Sequence, residues 1–358
     1  MERLSSKERV MAALNHQEPD RIPINYMANS GIDARLKRHY GIASHDDESL
    51  LNRLHVDMRE VSIPYIGPVL HAPRPERAID PAWGITKRWI AHESGGYWDY
   101  CDFPLASLDE ELIESWKMPD PDDYDYDSLD EQLSIWDGKA ICIGNPGLGD
   151  IMNTTGMLCG MEQVYLAMAM MDENWLRLVD RRLDIQLEVT RRALEGASSP
   201  IDYMWLGEDL GAQSGALISL DTYRTIIRPR HQKFIDLAGS FGIPVMIHSC
   251  GSSSWAFEDF IEMGISAVDT LQPEAKDMSP SYLKNRFGNR LSFHGGFSTA
   301  GKVVDGSIEE VLQELQDLLS VMMPRGGYLF SPTHMLQDNS SLENVVAVYE
   351  ELPILGRY

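Results

Sequence analysis

The sequence predicts an α/β protein, a (β/α)8 TIM-type barrel with an inserted segment in the N-terminal half. Three observations predict it. Short apolar, β-branched runs alternate with amphipathic stretches of helix length through the second half of the chain, the pattern of parallel strands joined by helical crossovers. Polar residues gather just after several of those strands, at the end where barrel sites are built. A doubly wound sheet is the alternative, but no GxGxxG follows a strand, so its dinucleotide-binding variant would lack the phosphate loop. The 358 residues read as a single barrel domain over 1–358. Within it, residues from about 60 to about 136 read as an insertion or cap, because their composition shifts away from the barrel pattern.

In chain order, Arg21-Ile-Pro-Ile-Asn-Tyr26 and Ala140-Ile-Cys-Ile-Gly144 are the strands of the first half. The stretch between them is rich in Pro, Trp, Tyr and Asp and predicts some antiparallel structure. Its aromatics Trp89, Tyr97, Trp98, Tyr100 and Phe103 suit the core of that segment; walling a substrate pocket is the alternative. The acidic run Pro119–Asp127 reads as a solvated loop. Strands then follow at 202–206, 243–248, 266–271, 290–294 and 327–331, with helices over 220–241, 254–263, 279–287, 307–323 and 342–351. Asp221 is the expected N-cap of the first of these helices. Ile308, Val311, Leu312, Leu315, Leu318, Leu319 and Met322 recur at helical spacing.

Composition narrows the function. The formal net charge is -24, which repels nucleic acid and, less strongly, anionic membrane. No 18-residue apolar stretch exists and the N-terminus lacks a signal-peptide core, so a cytoplasmic protein is expected. The four cysteines are few and irregularly spaced, and do not read as a disulfide framework.

The sharpest chemical signal is Ile243-Pro-Val-Met-Ile-His-Ser-Cys-Gly251. His248 and Cys250 stand two apart at a strand end, where both can face one atom. Imidazole nitrogen and thiolate sulfur are usual zinc ligands. The plainer reading is a capping His and a buried Cys that finish the strand. His334, just past the last strand, is the candidate third ligand; locally it would be a loop histidine. Two histidines and one thiolate with an open position would make a catalytic rather than a structural site. Glu208 or Asp209 is a candidate metal ligand, partner to a ligand or general base, with Glu208 favoured; the plainer reading, an N-cap for the next helix, suits Asp209. His294, before Gly295 and Gly296, is a candidate to bond substrate, the glycines allowing close approach; a packed strand-end histidine is the equal alternative. Tyr26, Asn29, Gln213 and Gln272 are candidate cofactor or substrate contacts, each also explicable as a core, cap or loop residue.

These segments together resemble the uroporphyrinogen decarboxylase superfamily. The resemblance runs through Pro19-Asp-Arg-Ile-Pro23, Gly207-Glu-Asp-Leu-Gly211, Arg228-Pro-Arg-His231, Ile247-His-Ser-Cys-Gly251, Phe293-His-Gly-Gly296 and Gly326-Gly-Tyr-Leu-Phe-Ser-Pro-Thr-His334, nearly the whole chain. It implies a β/α barrel. True decarboxylases of the family are similar to one another in an Arg-Gln-Ala-Gly-Arg segment after the first strand. Here that region reads Tyr26-Met-Ala-Asn-Ser-Gly31, without arginine. The other branch, the cobalamin-dependent methyltransferases, is the better resemblance. Its members hold zinc through a His-x-Cys pair and a later cysteine, here replaced by His334. The resemblance implies zinc, a corrinoid carried by a partner protein, and a small-molecule methyl donor or acceptor, and is compatible with a homodimer. The alternatives are a decarboxylase-like lyase and a non-catalytic corrinoid or tetrapyrrole binder.

Overall fold

The computed structural model describes residues 4–92 and 95–358. Among the described residues there are ten strands: β1 (Met58–Val61), β2 (Ala78–Ile79), β3 (Thr86–His92), β4 (Gly95–Tyr100), β5 (Ala140–Ile143), β6 (Tyr203–Gly207), β7 (Val245–His248), β8 (Ala267–Thr270), β9 (Ser292–Phe297) and β10 (Tyr328–Pro332). β1 and β5 to β10 form one parallel sheet in chain order. Order without crossing is what successive right-handed βα units produce.

The eighth stave is the segment around Pro23. The Asn25 amide donates to the Phe330 carbonyl and the Phe330 amide to the Pro23 carbonyl. On the other side the Asp57 amide donates to the Ile24 carbonyl. The segment thus bridges β10 to the start of β1 and closes the barrel. It does not form a full ladder, because Pro23 has no N–H to give. The expected strand at 21–26 is therefore in place but irregular.

Two apolar layers hold the fold together. Met58, Ala140, Cys142, Tyr203, Trp205, Met246, Ala267 and Leu329 fill the barrel interior, and Val10, Ala13 and Leu14 join them from the helix Ser6–Leu14. That helix plugs the barrel. A larger layer packs the outer faces of the strands against the surrounding helices.

The inserted segment carries the antiparallel sheet β2-β3-β4. Its aromatics are not a core. Trp89, Tyr97 and Trp98 are each about half exposed, with Trp89 and Trp98 paired edge to face across the strands. A sheet of three short strands has one face against the molecule and one against water. β1 lies in a stretch where Arg59 and Glu60 interrupt the apolar run, which hides it in the sequence. The buried Arg59 guanidinium is paired to Glu48.

The expected helix over 220–241 is broken in three. Leu220–Thr222 leads into a π turn, Tyr223–Ile227, and then Arg228–Ser240. Pro229 cannot donate the α-helical bond, so the chain widens before it. The N-cap is Ser219, whose hydroxyl accepts from the Thr222 amide, and not Asp221.

Candidate functional site

Strand register builds the site. Gly207 pairs with His248, His248 with Asp269, Asp269 with His294 and His294 with Leu329. Paired residues of neighbouring parallel strands point to the same face. His248, Asp269 and His294 therefore stand side by side near the C-terminal ends of β7, β8 and β9.

Asp269 joins the two imidazoles. One carboxylate oxygen lies 2.6 Å from His248 Nδ1 and the other 2.6 Å from His294 Nδ1. A carboxylate only accepts, so both Nδ1 atoms donate. Asn25 Nδ2 donates to His294 Nε2 at 3.1 Å, while its Oδ1 takes the Tyr26 amide. His248 is left with Nε2 turned toward Cys250 Sγ, 3.3 Å away. A carboxylate behind an imidazole is the usual support of a metal-binding histidine. Burial works to raise the Asp269 carboxyl, but the two histidines outweigh it and hold it below its ordinary value.

Asp209 completes a cluster with His248 and Cys250. One ligand atom from each lies within 4.8 Å of the others. Asp209 Oδ1 accepts from the Cys250 amide at 2.9 Å and lies 3.5 Å from His248 Nε2. Its Oδ2 accepts from Asn153 Nδ2 at 2.9 Å. Burial would raise this carboxyl, but His248 and the Cys250 amide hold it well below the carboxylate range. Burial would lower the His248 imidazole, yet hydrogen bonds to Asp209, Asp269 and Cys250 lift it well above its ordinary value. Burial raises the Cys250 thiol, with His248 pulling the other way. The donors are one nitrogen, one sulfur and one oxygen, converging on a small volume. That set fits a first-row divalent ion such as zinc.

His334 does not join this set among the described residues. It is exposed and stands on the rim of the cavity that His248 also lines. The last β10 residue, Pro332, ends the strand two residues earlier, and the chain turns out to solvent there. Glu208 and Asp209 exchange the roles expected of them. Glu208 is fully buried and accepts from the Ile151 and Met152 amides, at the start of the helix Met152–Cys159. Burial and the nearby Asp150 charge keep its carboxyl well above the usual range. It is a structural anchor, and its neighbour faces the cluster.

The remaining predicted residues separate in the same way. His294 is fully buried and reaches His248 only through Asp269. Gly295 does not serve substrate approach: a methyl there would lie 2.0 Å from the Thr270 carbonyl oxygen, so it permits close strand packing. Tyr26 lines the cavity. Gln272 Oε1 accepts from the Gly251 amide at 2.7 Å and so shapes the Cys250 loop. Asn29 bonds Gln337, away from the cavity, and Gln213 is exposed, its carbonyl accepting from the Lys276 amide. Sequence reasoning missed Asp269, Asn25 and Asn153. For Asp269 a signal existed, a lone carboxylate inside the apolar run Ser266-Ala-Val-Asp269.

Beside His248 lies a cavity of about 480 Å³. Met58, Cys142, Tyr203 and Trp205, inward residues of the strands, make its floor; Tyr26 and Trp136 stand at its sides. It is large enough for a small organic molecule.

The molecule is thus a TIM-type barrel whose mouth carries a nitrogen, sulfur and oxygen cluster beside an apolar chamber. The family described as uroporphyrinogen decarboxylase (URO-D) matches residues 143–352, more than half of the chain and all of the cluster. The protein belongs to that family. In three dimensions it is similar to a solved structure, "methyltransferase from Methanosarcina mazei", with a TM-score of 0.62, 16% identity and 98% of each chain covered. None of the curated proteins compared matches it.

Proposed function

We propose that the protein is a metal-dependent methyltransferase that moves a methyl group between a small molecule in the chamber and a corrinoid carried by a partner protein. The convergence of Asp209, His248 and Cys250 at the barrel mouth carries this reading. The fold likeness to a solved methyltransferase supports it, as does the absence of an arginine in Tyr26–Gly31 to receive substrate carboxylates.

In this reading zinc is held by His248, Cys250 and Asp209, and supplies Lewis acidity at the substrate heteroatom. Asp269 keeps His248 in the tautomer that presents Nε2. His294, itself held by Asn25, fixes Asp269 in turn. Gln272 and Gly251 set the loop that places the thiol. The apolar floor excludes water from the transferring group. His334 stands where it can meet a ligand entering the mouth.

Elemental analysis and a methyl-transfer assay test this together. The expected result is about one zinc per chain, lost in Cys250→Ser and weakened in Asp209→Ala, with transfer to cob(I)alamin lost in parallel. Substoichiometric metal that is unchanged in Cys250→Ser would refute it. Activity that survives chelation would instead support a metal-free lyase.

A further inference from the structure

Glu60 is the charged group that the metal cluster leaves unexplained. It sits in β1 on the wall of the chamber beside His248, and also lines a second cavity of about 310 Å³ under the inserted segment. Asn145 Nδ2 donates to its Oε1 at 2.8 Å. Among the described residues no lysine, arginine or histidine lies within ion-pair distance of it. Its neighbour Arg59 is committed elsewhere, to both oxygens of Glu48 and to the Val56 and Met58 carbonyls.

The surroundings of this carboxylate are aromatic. Tyr26, Trp136, Tyr203 and Trp205 line the same chamber. Aromatic faces carry negative potential and attract organic cations, above all methylated ammonium groups. A carboxylate without a protein counter-charge, beside such faces, adds a full negative charge to their attraction for a cationic ligand. Burial indeed lifts the Glu60 carboxyl above its ordinary value, although its side chain stays open to the chamber. The overall charge of -24 draws cations toward the molecule.

From this geometry we infer that the chamber takes an organic cation, an ammonium bearing methyl groups, with Glu60 as its counter-charge and the aromatic walls as its cage. The inference deepens the methyl-transfer reading and rests on it for the fate of the methyl group; the ammonium nitrogen has no lone pair for zinc, so the metal would act on another heteroatom of the ligand or on the methyl acceptor. Binding itself is measurable without turnover.

The test is calorimetric titration of the full chain with choline and with its uncharged carbon isostere, 3,3-dimethylbutan-1-ol. We expect choline to bind at least about ten-fold tighter than the isostere. In Glu60→Gln that preference should vanish while affinity for the isostere is kept, which also certifies the fold of the variant. Equal affinities, no binding of either probe, or a preference that survives Glu60→Gln would each overturn the inference. A Glu60-dependent preference in a protein that binds no zinc would leave the cation site standing and remove the methyl-transfer reading.

Discussion

Asp269 shows how much one buried side chain can organise. Its two oxygens fix the rings of His248 and His294 at once, 2.6 Å from each. Asn in its place keeps the shape but offers one acceptor and one donor where two acceptors are needed. If the cluster holds zinc as proposed, Asp269→Asn should weaken its binding by about 10- to 100-fold in competition with a chelator, with the fold retained. An unchanged affinity would mean that His248 needs no support. At this scale the sequence was half legible. His248 and Cys250 could be seen because their spacing is local. Asp209 could not be told from Glu208, since adjacent residues after a strand differ only in which way the turn points them. His334 stands apart from the cluster, on the cavity rim, because proximity to a strand end does not say how far the side chain returns to the mouth.

Elements decide which residues meet. The ladder β7-β8-β9 brings His248, Asp269 and His294 level, and a slip of one residue would turn one of them out of the barrel. Gly295 secures that register from β9. Its φ of 116° suits no other residue, and its missing side chain leaves room for the Thr270 carbonyl. Gly295→Ala should lower stability by more than about 2 kcal/mol in thermal or denaturant unfolding. Full retention of stability would show that the ladder can open there at little cost. Strands from β5 onward were legible because both faces are buried and the runs are uniformly apolar. β1 and the stave at Pro23 were not, because ion-paired Arg59 and a proline break the pattern that marks a strand.

The whole molecule carries an acid pair inside it. Asp150 and Glu208 are buried together, and burial raises both, Asp150 to about 7 with the Asp209 charge assisting. Folding therefore holds protons that the unfolded chain releases near a pH of about 4. The folded state binds more protons there, so the stability contributed by Asp150 falls as pH rises from about 4 to about 7. In Asp150→Asn the Asn still meets the Thr154 amide, and the penalty is gone. Its melting temperature should gain on that of the wild type across this range. A difference that stays constant with pH would show that Asp150 is ionised throughout. Nothing in the composition announces such a pair, because it arises only when two distant segments close on each other.

The helix Ser6–Leu14 fills the floor of the barrel with Val10, Ala13 and Leu14. That closes one end of the barrel, and the cavity beside His248 lies toward the other. In the proposed methyl transfer, donor and acceptor would then share that open end and approach His248 from the same side.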